Sequence, residues 1–444
     1  MPSPKDILLI NPWIYDFTAY DFWLKPLGLL YVASFLKKLT AFRLSFIDCL
    51  DRCHPKLPKA LPTKSDGRGP FFKQQVPKPE ILKDVPRRYS RYGIPVSLFL
   101  EELDRVAHPD LVLLSCTMTY WYPGVQLVVE LIRKKFGSVP VILGGTYATL
   151  MPGHARRTTG ADFICVGPGE KKLPLLLQNV LGDKTRLSSQ DSSSCSLPWP
   201  EYTLLRDTEN LPVLSSRGCP FSCSFCATPL LNPEFVQDSP SSVVDLIEHL
   251  FRRFKTRNVA FYDDALLLNK RDHIIPILEG VIRKKLPLAF HTPNGLHVKE
   301  IDSELAALFK KVNFVSLFLS QESFDENILN KSCPKVDKDN LETALFHLEK
   351  AGYSRQNISV YMIVGLPDLD TAGIKEGISR VQKLGARPHL AYFSPVPGTP
   401  EWEKIVRRGL IPKDADPLLH NKLTFPYLWG DVSPEDFKSI RDLL

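Results

Sequence analysis

The sequence predicts an α/β protein made of two successive series: a doubly wound parallel sheet, then a (βα)6 partial barrel. Three observations predict it. Short apolar runs alternate with helical stretches as far as Leu181, and buried runs separated by helices mark a parallel sheet. A Ser-rich stretch, Lys184–Pro200, then breaks the alternation and reads as a linker. Six more strand–helix units follow between Val213 and Arg408. A length of 444 residues suits such a two-part chain.

In the first series, Ile7–Ile10, Leu44–Ile47, Leu111–Ser115, Val141–Leu143 and Phe163–Val166 are apolar and of strand length. Helical spacing falls at Leu27–Leu39, Val125–Phe136 and Leu173–Leu181. Pro55–Pro95 breaks the rhythm with eight prolines and no period. So long an irregular insert is expected to be a lid or a surface loop. In the second series the strands are Val213–Ser216, Val259–Tyr262, Leu288–His291, Phe314–Ser320, Ser359–Val364 and Leu390–Phe393. Helical stretches lie between them. Barrels of this kind place their chemistry in the loops after the strands. The expected division is 1–185, a Rossmann-like domain with the insert at 55–95; 186–210, a linker; 211–408, the partial barrel; and 409–444, a C-terminal tail.

Composition narrows the function classes. The 56 Lys and Arg against 49 Asp and Glu leave a net charge of +7. That is mild, and the basic residues come as scattered doublets such as Arg156-Arg157 and Arg252-Arg253. They read as solvated helix faces, so no nucleic-acid partner is expected. No run of about 18 apolar residues exists to span a membrane. The N-terminus lacks the order of a signal peptide, so a cytoplasmic location is expected. In that compartment nine Cys are core fillers, metal ligands or nucleophiles rather than a disulfide frame.

The sharpest local signal is Arg217-Gly218-Cys219-Pro220-Phe221-Ser222-Cys223-Ser224-Phe225-Cys226. It is a C-x3-C-x2-C loop directly after the first strand of the second series. Three thiolates within eight residues can converge on one metal centre. Structural zinc prefers four ligands, usually two separated pairs. Three close Cys fit a [4Fe–4S] cluster with one iron left open. The competing reading is a three-cysteine zinc knuckle that borrows Cys195 or Cys333.

The loop, including Phe225 just before its last Cys, resembles the cluster loop of radical S-adenosylmethionine (SAM) enzymes. The resemblance implies that Cys219, Cys223 and Cys226 bind three irons. The fourth iron would chelate the amino and carboxylate groups of SAM, and one electron would split SAM into methionine and a 5′-deoxyadenosyl radical. Other strand ends agree. Tyr262-Asp263-Asp264 stands where the family receives the SAM amino group. Glu322, in Ser320-Gln321-Glu322-Ser323, resembles its SAM-contacting "Glu-Ser" end. Gly365-Leu366-Pro367 resembles its turn near the adenine, and Pro397-Gly398-Thr399 its sixth-strand end. Plain capping or turn chemistry is the alternative for each. His291 and Asn294 also lie at a strand end and could face SAM or substrate.

The first half resembles the cobalamin-binding domain that precedes the barrel in one large radical SAM class. The matching stretches are Asp110–Thr119, Gly144–Thr149 and Gly160–Glu170. Ligands of open α/β sheets sit outside the strand carboxyl ends. Ser115, Thr119, Gly144 and Gly145 would occupy that edge. The family's D-x-H-x-x-G loop, which supplies a histidine to cobalt, is absent; Asn11-Pro12-Trp13 stands in its place. His54 has different flanks. Cobalamin is therefore expected without a lower axial histidine.

Together the resemblances imply a radical SAM enzyme that attacks an unactivated carbon, with methyl transfer if the corrin is present. They imply a small-molecule or peptide substrate and an external one-electron donor such as flavodoxin or ferredoxin. One rival is a rearrangement, oxidation or cyclisation enzyme with a vestigial cobalamin domain. A rival from another class is a non-catalytic metal-binding regulatory module.

Overall fold

A computed structural model describes residues 4–39, 42–182, 198–332, 339–424 and 433–444. Most of the expected linker, with Cys195, and also Cys333, lie outside the described residues. The chain divides into two units, Met1–Thr208 and Glu209–Leu444.

The first unit is built on a five-stranded sheet: β1 (Lys5–Asn11), β2 (Phe42–Asp48), β3 (Leu111–Ser115), β4 (Val141–Gly144) and β5 (Phe163–Ile164). All pairs are parallel, in the order β2-β1-β3-β4-β5. This is a doubly wound order whose direction reverses between β1 and β3, the switch point at which such sheets bind ligands. The principal helices are α1 (Leu27–Lys38), α2 (Val96–Asp104), α3 (Tyr122–Phe136) and α4 (Gly169–Leu181). Alternate residues of the strands bury opposite ways. Ile7, Leu9, Leu111 and Leu113 pack with Leu29, Ala33 and Leu36 of α1 and Leu173 and Leu177 of α4. Leu8 and Ile10 are as fully buried, so the strands read as continuous apolar runs.

The proline-rich segment is not the irregular excursion its sequence suggests. Lys73–Gln75 and Ser90–Tyr92 pair antiparallel, and Ser90–Tyr92 also pairs with Ile14–Asp16. One buried guanidinium organises the rest. Arg52 bonds Asp21 at 3.1 Å, the carbonyls of Pro62, Gly67 and Pro70, and the Thr63 hydroxyl. These backbone carbonyls are thus satisfied by a side chain's fixed fork of donors. Helix α2, which periodicity alone did not mark, starts on Pro95 and seats Phe99 against the Trp13 ring, centroids 4.8 Å apart.

The second unit carries a parallel sheet in simple sequence order: β6 (Asn210–Val213), β7 (Asn258–Phe261), β8 (Ala289–His291), β9 (Phe314–Glu322), β10 (Ile358–Val364) and β11 (Arg387–Tyr392). Its principal helices are α5 (Pro240–Phe254), α6 (Ile274–Arg283), α7 (Ser303–Lys311), α8 (Asn340–Lys350), α9 (Thr371–Lys383) and α10 (Pro400–Arg407). This is the expected (βα)6 partial barrel. Side-chain caps set several helix starts: Ser239 for α5, Asp302 for α7, Asp370 for α9 and Thr399 for α10. Phe261, Phe290 and Phe314 stack across β7, β8 and β9 with centroids 5.6–6.0 Å apart.

Two expectations need correcting. The first barrel strand ends at Val213, not Ser216, because the Ser215 N–H leaves the ladder for the Asp263 carboxylate. The last residues are more than a tail. Helix α11 (Pro434–Arg441), opened by a Ser433–Asp436 capping box, sets Phe437 against Tyr392 of β11 at 5.8 Å. No helix among the described residues is long and apolar enough to cross a membrane.

Candidate active site

The cysteine loop leaves β6 and is closed at its base by a short antiparallel pair, Ser216–Arg217 with Val236–Gln237. Gly218 is required there. Its φ is +79°, and a Cβ would lie 2.4 Å from the Glu234 carbonyl oxygen. Within the loop, the Cys226 N–H donates to the Cys223 carbonyl at 3.0 Å. The Thr228 N–H reaches the Cys226 sulfur at 3.5 Å, and that thiol lies 3.3 Å from the Thr228 hydroxyl. Phe221 packs edge-on against the His297 ring at 5.2 Å, under the Lys299 ammonium. Cys223 is buried; Cys219, Phe225 and Cys226 are half-buried.

Among the described residues no three His, Cys, Asp or Glu side chains stand together as a ready-made metal site. The fit to a cluster rests on the donor set. Three reduced thiols lie on one loop, and a backbone N–H is directed at one of the sulfurs.

The loops after the other strands share this edge of the sheet. Asp263, expected to meet the SAM amino group, is taken up differently. It is 3% exposed and accepts from the Ser215 N–H at 3.1 Å, the Ser215 hydroxyl at 2.7 Å and the Ser216 hydroxyl at 2.6 Å. Burial pushes its pKa up, against hydrogen bonds from Ser216 and Ser215 that pull it down. Asp263 therefore fixes the entry to the cysteine loop. Half-buried Tyr262 and Asp264 flank it. Asn294 donates to the carbonyls of both Tyr262 and Asp263, at 2.9 and 3.1 Å. His291, at the end of β8, has both ring nitrogens engaged. It is fully buried between Ser316 and Asn258, 3.0 Å from each, in a polar ladder that continues from Asn258 to Asn210.

Glu322 ends β9 with φ +63°, and the pairing with β10 slips between Ser320 and Glu322. A left-handed non-glycine residue costs roughly 1–3 kcal/mol and persists where its surroundings impose it, often at functional sites. Gly365, Leu366 and Pro367 are buried just after β10. Sequence reasoning missed Ser215 and Ser216, whose partner lies 47–48 residues away.

In the first unit, a shallow open pocket lies at the β1/β3 switch point. Asn11, Trp13, Lys25, Ser115, Thr117 and Trp121 are among its lining residues. Thr119 is buried beside it in sequence, and Gly144 ends β4. Gly145 is also required by its local packing. Its φ is +89°, and a Cβ would meet the Cys116 carbonyl and the Ser115 hydroxyl at 2.8 Å. The buried thiols Cys49 and Cys116 have pKa values pushed up by burial, that of Cys116 to about 12; they act as core thiols.

Asp48 ends β2 with its carboxylate accepting from Asn11 at 2.7 Å. Burial pushes its pKa up to about 6, against that hydrogen bond. A raised carboxyl pKa means the folded state holds the proton more tightly than the unfolded chain. Stability is therefore lost as pH rises from about 4 to 6. Asp48→Asn is expected to raise stability at pH 7 by up to about 3 kcal/mol and to have no such effect at pH 4. Urea unfolding at the two pH values checks this; an equal effect at both would sink it.

Comparison with known proteins agrees with both units. Residues 213–378 match the Radical SAM superfamily, and residues 94–177 match the B12 binding domain. The two matches fall one in each unit, a B12-binding-type segment followed by a radical SAM-type segment. It is similar to an uncharacterised methyltransferase of Synechocystis sp., 26% identical over 281 residues, covering 61% of this chain and 51% of that one. The match therefore spans about half the length of that relative. It is also similar to the hopanoid C-3 methylase of Methylococcus capsulatus, 23% identical over 373 residues, with 75% and 69% covered. Among solved structures, the radical SAM methyltransferase TsrM from Kitasatospora setae superposes with a TM-score of 0.66 at 15% identity, covering 91% of this chain and 76% of that one. TsrM has also been solved with cobalamin and a [4Fe–4S] cluster bound.

Proposed function

We propose that this protein is a cobalamin-dependent radical SAM methyltransferase acting on an unactivated carbon of a small molecule. One observation carries the reading: a single chain joins a switch-point pocket in a B12-type sheet to a C-x3-C-x2-C loop at the carboxyl edge of a (βα)6 sheet. Cys219, Cys223 and Cys226 would hold the cluster. Glu322, Tyr262, Asp264 and the Gly365–Pro367 turn would receive SAM. When bound, the cluster and SAM supply one-electron and radical chemistry, and cobalamin carries the methyl group. The chain's own residues fix the loop, shape the strand ends and bury the site. An external protein such as flavodoxin or ferredoxin would deliver the electron.

Methylases dominate the relatives, and TsrM is described with a tryptophan substrate. A magnesium-protoporphyrin cyclase of Cereibacter sphaeroides is also similar, 26% identical over 351 residues. That makes cyclisation the reading to exclude. Anaerobically reconstituted protein incubated with trideuteromethyl-SAM and cell extract should give a product carrying the labelled methyl. Turnover without label transfer would favour the cyclase-type reading.

On the same reading cobalamin would bind at the carboxyl edge of the first unit's sheet without a histidine ligand from the protein. Three observations support this. Asn11 is committed to Asp48, the Trp13 indole N–H to the Ile94 carbonyl at 2.6 Å, and His54 to Glu102 and the Lys56 N–H at 3.3 and 3.2 Å. A histidine ligand needs a free imidazole nitrogen with its other nitrogen oriented by a partner. Bound cob(II)alamin is expected to show no nitrogen superhyperfine splitting in its EPR spectrum. Splitting that vanishes in His54→Ala would make His54 the ligand.

A further inference from the structure

The cysteine loop is tied down by a residue that no motif marks. Ser224, between Cys223 and Phe225, is buried. Its hydroxyl donates to Oε1 of Glu401 at 2.9 Å, and its carbonyl accepts from the Glu401 N–H at 3.0 Å. Its own N–H donates to the carbonyl of Ser332, at the end of the helix Glu326–Ser332, at 3.1 Å. The Ser332 hydroxyl reaches the same Oε1 at 3.5 Å.

Glu401 lies in the first turn of α10, just after the Pro397-Gly398-Thr399 turn. A first-turn Glu can serve the helix dipole from the surface, but this one is 4% exposed. Its Oε2 makes no hydrogen bond among the described residues. That oxygen faces Lys404 Nζ at 3.6 Å, and Lys404 continues to Asp368 at 2.5 Å, in the turn after β10. Burying a carboxylate is costly when one long ion pair is its only charged partner among the described residues. Here the group joins three strand-end loops: the cysteine loop after β6, the turn after β10 and the start of α10 after β11.

We propose that Glu401 is a positioning residue for the cluster. It holds the Cys223–Cys226 segment in the shape that accepts iron, by accepting from Ser224 and donating to it. The proposal rests on the reading of Cys219, Cys223 and Cys226 as cluster ligands. Its test separates the two.

The full chain without cluster is labelled anaerobically with a maleimide, and each thiol is followed by peptide mass spectrometry. Glu401→Ala and Ser224→Ala should each label the loop thiols about tenfold faster, the scale of one lost charge-assisted hydrogen bond. Cys49 and Cys165 should label as in the wild type. Glu401→Gln keeps an acceptor for Ser224 and should label at the wild-type rate. After reconstitution, the reduced Glu401→Ala cluster should show a broadened EPR signal with a weakened response to added SAM, restored in Glu401→Gln. Wild-type labelling rates in both Ala variants, or Glu401→Gln labelling as fast as Glu401→Ala, overturn the proposal. If Glu401→Ala fails to fold, Ser224→Ala alone decides. A wild-type chain that shows the clamp yet takes up no iron refutes the cluster reading and leaves the clamp standing.

Discussion

Cys223→Ala is expected to purify folded, without iron or sulfide, and with SAM cleavage reduced to background. Cys223 is the central and most buried of the three thiols, and its loss leaves two ligands for a cluster that needs three from the protein. Its contribution to folding is small by comparison. Removing one buried sulfur costs roughly 1 kcal/mol, so thermal unfolding should shift by only a few degrees. Iron analysis, sulfide analysis and a melting curve on the same sample test both halves. Retained iron at the wild-type ratio would mean that another side chain supplies the third ligand.

Asp263→Ala is expected to have the opposite profile: a large loss of stability, with cluster loading lost as a consequence. Its carboxylate accepts from a buried N–H and two buried hydroxyls on the strand-to-loop junction. Leaving them without a partner costs about 3 kcal/mol in total, or roughly 10 °C in the unfolding midpoint of a unit this size. Asp263→Asn keeps the shape and one carbonyl acceptor, and should lose less. If Asp263→Ala instead melts with the wild type and only SAM affinity falls, Asp263 is a SAM contact and not a strut.

The residues that the sequence made legible are those whose pattern is local. Apolar runs marked the strands of both sheets because parallel strands bury both faces, as Leu8, Leu9, Ile10 and Leu111–Leu114 do. The cysteine loop was legible because its three thiols lie within eight residues. What stayed hidden depends on distant partners. The insert looked irregular because its order comes from Arg52 and from pairing with Ile14–Asp16. Asp263 and Asp264 are adjacent and chemically alike, and only the fold shows that Asp263 is spent on Ser215 and Ser216. Ser224 and Glu401 are 177 residues apart, and nothing in either neighbourhood points to the other. His291 at a strand end resembled a site residue until the neighbouring strands supplied Asn258 and Ser316.

The central claim is that one chain holds both a cluster and a corrin. Metal, sulfide and corrin analysis of anaerobically reconstituted protein tests it most directly. The account predicts iron and sulfide in the ratio of a [4Fe–4S] cluster together with one retained corrin per chain. Zinc without sulfide would contradict the cluster, and an intact cluster with no retained corrin would contradict the methyl-transfer reading.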